Sequence, residues 1–149
     1  MIAEFEGDYA FLSNFHDSPF THDGITYPTN EHFFQAMKTT DLMDKYGIAG
    51  ASTPGQAKRM GRRVILRPDW EQVKEYFMEV GLRLKFADPE LRQKLLDTGD
   101  EELVEGNWWH DNTWRSCYCP DCIDKPGRNL LGKQLCKLRY ISGYEFQTQ

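Results

Sequence analysis

Prolines set beside capping residues decide where helices can begin in this chain. Pro28 disfavours helix just before it, so Thr29 or Asn30 can cap the exposed amides of a helix that follows. Ser52-Thr53-Pro54 gives a cap followed by proline at the first helical position, and Asp88-Pro89 repeats the device. In Pro68-Asp69-Trp70-Glu71-Gln72, Asp69 is the expected cap and Gln72 its reciprocal partner three residues on. Each of these points opens a new helix.

The segments between them carry helical or alternating patterns. Gly47 and Gly50 end the helical region opened at Asn30, and the helix from Pro54 runs to about Arg62. Val73, Phe77, Val80 and Leu84 form a core-facing row on the next helix, and Leu91, Leu95 and Leu96 point inward on the one after, which Gly99 stops. Arg128 to Tyr140 closes the fold as a helix with Leu131, Leu135 and Leu138 buried, followed by a short polar tail after Tyr144. Ile2 to Glu6 alternates as a short strand, Ile25-Tyr27 returns after an Asp23-Gly24 turn, and Val64-Ile65-Leu66 and Leu103-Val104-Glu105 read as further short strands.

A chain of 149 residues suits one domain with one core. The net charge of -5 argues against a generic nucleic-acid binder while leaving room for a local basic patch. The N-terminus lacks the pattern of a signal peptide, and no run of about 18 apolar residues occurs, so no membrane partner and a cytoplasmic location are expected. In a reducing compartment, clustered cysteines point to metal before disulfides.

Four places hold chemistry. After Pro28, Phe33, Ala36 and Met37 fall on one helix face, and Glu31, Gln35 and Lys38 form a narrow stripe opposite. That stripe is either a solvated face or the wall of an active site. Lys58, Arg59, Arg62 and Arg63 crowd the next helix, as a solvated face or an anion site for phosphate. The aromatic run from Tyr9 to Phe15 fills a core or stacks on bases, and its Asn14 amide needs partners. The loop from Gly106 to Trp114 is too rich in tryptophan and polar groups for an ordinary connector. Beyond it, Cys117, Cys119 and Cys122 have the spacing to share a tetrahedral zinc with His110 as fourth ligand; the alternatives are reduced thiols or a redox pair at Cys119 and Cys122. Cys136 reads as a small core residue.

The segments Phe11-Leu12-Ser13-Asn14-Phe15, Glu31-His32-Phe33-Phe34-Gln35-Ala36-Met37-Lys38, Thr53-Pro54-Gly55-Gln56-Ala57-Lys58-Arg59-Met60-Gly61-Arg62, Asp111-Asn112-Thr113-Trp114 and Gly127-Arg128-Asn129-Leu130-Leu131-Gly132 occur in this order. Together they resemble the NADAR family, also called YbiA-like, from about Phe5 to Arg139. The resemblance implies a compact, helix-rich α+β single domain with a small, mostly antiparallel sheet. It implies an N-glycosidase that cleaves a ribose phosphate or ADP-ribose from an exocyclic base amine, on ADP-ribosylated guanine or a ribosylaminopyrimidine phosphate of riboflavin synthesis. The substrate is a free metabolite or is carried on nucleic acid, and catalysis needs no cofactor.

An exocyclic ribosylamine can ring-open to an imine, so direct hydrolysis and exchange onto a lysine are both open. Glu31 suits either route as general acid or base, although a first helical turn favours its charged form. Lys38 is the first candidate for imine exchange or charge stabilisation, and Lys58 the second. Lys58 and Arg62 are set to phosphate, Asn14 and Gln35 to sugar or base edges, and Trp114 or Phe15 to stacking on the base, with Trp109 also in the substrate-binding set. Asp111 is placed on ribose hydroxyls or a water, Asn129 joins the substrate-binding set, and Lys85 either complements its helix dipole or reaches the pocket. Family members often have glycine where this chain has Arg115, whose cation would add a phosphate contact or narrow the pocket. Two rival readings are a non-catalytic module that binds ADP-ribose or a nucleotide, and a zinc-stabilised interaction domain.

Overall fold

The computed structural model describes residues 1–148, with side chains to residue 145. It is an α+β fold whose residues group into two compact units: Met1–Ser13 with the chain from Asp88 onward, and Asn14–Ala87. Among the described residues no helix is long and apolar enough to cross a membrane.

The Asn14–Ala87 unit opens on a hairpin of β1 (Phe20–His22) and β2 (Ile25–Tyr27), paired antiparallel with Phe20 opposite Tyr27. Asp23 and Gly24 both take positive φ, 48° and 79°, as a two-residue turn matching strand twist requires. Then follow α1 (Asn30–Ala36), α2 (Leu42–Ala49), α3 (Pro54–Gly61) and α4 (Trp70–Lys85). Thr29 caps α1 by accepting the His32 amide, and Thr53 caps α3 by accepting that of Gln56. Helix α1 packs against α2, α3 and α4. All of its residues are therefore buried. Phe33 is fully buried, with the rings of Phe20 and Tyr27 both edge-on at 5.4 Å.

The other unit pairs the N-terminus with a later segment: Ile2 bridges Leu103 in parallel, and its amide donates to the Glu102 carbonyl at 2.8 Å. A 3₁₀ turn spans Gly7–Leu12. Helix α5 (Pro89–Asp97), capped by Asp88, packs on α6 (Leu130–Thr148), with Leu91 and Leu95 buried on one and Leu131 and Leu135 on the other. Between them β3 (Gly106–Asn107) and β4 (Ser116–Cys117) pair in parallel.

Several local expectations change. Ile2–Glu6 and Leu103–Glu105 form only the isolated bridge, because a single pairing leaves no ladder to extend. Val64-Ile65-Leu66 is no buried strand: Ile65 is 89% exposed on the link between α3 and α4. Asp69 makes no side-chain cap, since Arg67 Nε takes its carboxylate at 2.6 Å. The buried row of α4 is Met78, Gly81, Leu82 and Lys85, leaving Val73, Phe77, Val80 and Leu84 half-buried. Gly47 lies inside α2, and the helical region from Asn30 breaks after Ala36. Leu96, Leu138 and Cys136 are half-buried, and α6 runs on through the supposed polar tail to Thr148.

Candidate functional site

The Glu31, Gln35 and Lys38 stripe is not a solvated face. Glu31 is 6% exposed and Gln35 4%, with Lys38 half-buried. Gln35 Nε2 donates to Glu31 Oε1 at 2.8 Å, one helical turn apart. Helix α3 comes close enough to α1 that Gly61 lies directly on the Gln35 amide: a Cβ there would collide with Gln35 Oε1 and stand 2.9 Å from its Cδ. Burial holds the Lys38 amine below its ordinary pKa; Glu31 works against that shift, and the cations Arg62 and Lys58 add to it. Glu31, Lys38, Lys58 and Arg62 thus share one electrostatic neighbourhood. Arg62 itself is exposed and Lys58 half-buried.

Asn14 sits beneath the start of α1. Its carbonyl accepts the Glu31 amide at 3.0 Å, its Oδ1 accepts Asn30 Nδ2 at 2.9 Å, and its Nδ2 reaches Met78 Sδ at 3.5 Å. Gly81 makes room for Asn30, since a Cβ there would strike Asn30 Oδ1. The run from Tyr9 to Phe15 therefore divides, with Phe11 and Leu12 in one core and Asn14 in the other unit beside the exposed Phe15. Lys85 is 2% exposed, its ammonium 5.1 Å from the Phe86 ring centroid. Asn30, Gly61 and Gly81 were missed by sequence reasoning; the need of Asn14 for an amide partner was the available sign.

In the other unit, Asp111 Oδ1 accepts the amides of Thr113 and Trp114, both at 3.1 Å, and Oδ2 lies 3.5 Å from Arg115. Arg115 also pairs with Glu105 at 3.0 Å and lies over the Trp109 ring at 5.6 Å. At 11% side-chain exposure, the cation that departs from the family pattern is tied into its own unit. Trp109 is 62% exposed and Trp114 half-buried. Asn129, at φ 51°, donates Nδ2 to the Leu103 carbonyl at 2.9 Å. Asn107, also missed, accepts the Trp109 and Asp111 amides and donates to the Asp111 carbonyl at 2.8 Å.

His110, Cys117, Cys119 and Cys122 converge, their potential ligand atoms all within 4.8 Å of one another. His110 Nδ1 is 3.3 Å from Cys122 Sγ, 3.4 Å from Cys119 Sγ and 3.9 Å from Cys117 Sγ. Burial acts to raise the Cys117 thiol, but the amides of Cys119 and His110 and the neighbouring thiols outweigh it and bring it down to about 7. This donor set can hold a metal ion. Cys136 lies outside it, with Arg139 reaching its sulfur at 3.6 Å.

The chain matches the NADAR domain family over residues 3–141, a stretch that runs through both units. It is 42% identical over 135 residues to the N-glycosidase YbiA of Escherichia coli, covering 89% of this chain and 81% of the relative. A riboflavin biosynthesis protein of Vibrio vulnificus is 32% identical over 135 residues, covering 89% of this chain and 35% of that protein. The solution NMR structure of E. coli YbiA superposes with a TM-score of 0.83 at 37% identity, covering all of this chain (100%) and 89% of that one. The chain therefore belongs to the NADAR domain family and, with relatives this close named N-glycosidases, is a glycosidase.

Proposed function

We propose that this enzyme hydrolyses the bond between a phosphorylated ribose, or ADP-ribose, and the exocyclic amine of a base, with Lys38 as nucleophile and Glu31 as its proton partner. The observation that carries this is a lysine depressed by burial and by two neighbouring cations, beside a buried glutamate whose carboxylate is pinned by Gln35. A depressed lysine keeps more of its amine neutral near pH 7, as attack on a carbon centre demands.

The substrate's exocyclic nitrogen lets the ribose ring open, giving a C1=N imine. Lys38 Nζ adds to C1, Glu31 moves a proton from the incoming amine to the departing one, and the base leaves with its amine intact. Water then hydrolyses the lysine imine, returning the free amine of Lys38 and an open-chain ribose that recloses. The net change is addition of water across the N-glycosidic bond. Lys58 and Arg62 bind the phosphate, whose arrival also relieves their repulsion on Lys38. Phe15, 40% exposed, offers a ring to the base.

Two substrates fit this chemistry: ADP-ribosylated guanine and a ribosylaminopyrimidine phosphate, the second favoured by the riboflavin name of the Vibrio relative. No cofactor is drawn on. Zinc at the His110 cluster, with four protein ligands, would be structural, since it has no position left for water. Incubation with each substrate followed by borohydride tests the reading. A stable adduct mapped to Lys38 and free base without borohydride are expected. Base release with no adduct on Lys38 leaves direct hydrolysis, and no release from either substrate removes the substrate class.

A further inference from the structure

We propose that His110, Cys117, Cys119 and Cys122 form a zinc centre that anchors the start of α6. In a tetrahedral site with Zn–S near 2.3 Å and Zn–N near 2.0 Å, nitrogen and sulfur ligands stand roughly 3.5 Å apart. The three Nδ1 to Sγ separations, 3.3, 3.4 and 3.9 Å, bracket that edge. The four donor atoms, all from residues 110–122, lie within 4.8 Å of one another, close enough to share one ion.

The groups around the sulfurs are arranged as thiolate ligands require. The His110 amide donates to Cys117 Sγ at 3.3 Å, and Asn112 Nδ2 to Cys122 Sγ at 3.5 Å. Such donors stabilise charge on sulfur and fix the ligands' orientation. His110 reaches the cluster only by taking φ 68°, a conformation disfavoured for a residue with a Cβ, and ligation offsets that cost. The chain spends backbone strain to place an imidazole among three thiols.

The centre has a mechanical consequence within its unit. Asn112, bonded to Cys122 through its side chain, accepts the Cys117 amide on Oδ1 at 2.8 Å and the Arg128 amide on its carbonyl at 2.7 Å. The Thr113 and Trp114 carbonyls accept the Leu130 and Leu131 amides at 3.1 and 3.2 Å. These carbonyls satisfy the first amides of α6. Zinc therefore holds the cap of a long helix, and with it the turn folded around Asp111.

The test uses the full chain, purified without chelator after growth with zinc, and measures metal and free thiol together. About one zinc per chain is expected, falling below about a tenth in Cys119→Ser and staying near one in Cys136→Ser. Less than about half an equivalent with four reactive thiols in the wild type overturns the centre, as does full zinc in Cys119→Ser. A variant short of a ligand can fail to fold, so cobalt(II) is also added to metal-stripped wild type. Tetrahedral d–d bands with strong thiolate-to-cobalt charge transfer are expected, and a weak octahedral spectrum refutes the site. Hydrogen exchange at Arg128, Leu130 and Leu131 should quicken on stripping and recover with zinc; unchanged exchange refutes the anchoring role. None of these readouts involves substrate, so they stand or fall apart from the glycosidase reading.

Discussion

Gly61→Ala should damage the active stripe from the helix opposite it, and the damage should vanish when Gln35 is shortened. The new Cβ would overlap Gln35 Oε1 and lie 2.9 Å from its Cδ and 3.1 Å from its Cβ. Gln35 is 4% exposed and committed to Glu31 at 2.8 Å, so it cannot swing aside without breaking that bond. Overpacking of this kind costs about 1–3 kcal/mol. Losing a hydrogen bond to a charged group costs about 1.5–3 kcal/mol more. Against these stands the gain of replacing glycine, about 0.4–1 kcal/mol. The net is a loss of about 2–5 kcal/mol, lowering the melting temperature by about 2–4 °C for each kcal/mol in a chain of this size. Gln35→Ala removes the overlapping Oε1 and Cδ and leaves only the tight Cβ contact at 3.1 Å, so in that background Gly61→Ala should cost about 1 kcal/mol or less. Urea denaturation of the four proteins gives a coupling energy of about 2–4 kcal/mol if the contact is as described. Additivity to within about 0.5 kcal/mol would mean that α3 does not press on Gln35, and the reasoning fails.

Glu31→Gln keeps an acceptor for Gln35 but cannot exchange a proton, so base release should fall by about 10²–10⁴ with little change in melting temperature; release at the wild-type rate removes Glu31 from the chemistry. The depressed Lys38 carries a definite sign in pH. Between its folded and unfolded pKa values the unfolded chain binds more protons, so stability climbs as pH rises through that window, and Lys38→Met should flatten the climb in denaturation midpoints. The same pKa governs the rate limb: kcat/KM should rise with pH as the amine deprotonates, and Arg62→Ala, by removing a like charge, should move that limb to higher pH. A limb that stays put or moves down contradicts the assigned neighbourhood. In the other unit, Asp111→Ala strips the acceptor of two backbone amides and should cost about 1–3 kcal/mol in chemical denaturation, with Asp111→Asn recovering most of it; an alanine variant as stable as wild type would show that the turn holds without the carboxylate.

Local chemistry was legible wherever it is settled by near neighbours. The Asp23-Gly24 turn, the Thr29, Thr53 and Asp88 caps, and the convergence of three cysteines with His110 all depend on residues close in sequence, and each is found. What depended on distant partners was not. Ile65 belongs to an apolar run of strand length, but among the described residues no strand pairs with it. Val73, Phe77 and Leu84 show helical spacing, yet the buried row lies one residue along, through Gly81, because Asn30 needs that gap. Asp69 is the exception among near neighbours: it has the sequence of a cap, but Arg67, two residues before it, takes the carboxylate.

The Glu31 stripe shows why such a case resists sequence reasoning. Periodicity separates wet from dry only when one side of a helix meets water, and α1 is packed by α2, α3 and α4 until none of its residues is exposed. Its polar face then cannot be solvated and must be satisfied from within. Gln35 spends its amide on Glu31, Asn30 spends its own on Asn14, and Gly61 and Gly81 surrender their side chains to admit them. Lys38, at the half-buried end of the stripe, loses part of its hydration and has two cations nearby. A solvated lysine would keep its proton and remain inert. Burial that a stability argument counts as a cost is, just past the end of this helix, what lowers the basicity of an amine and so frees more of it from its proton to attack.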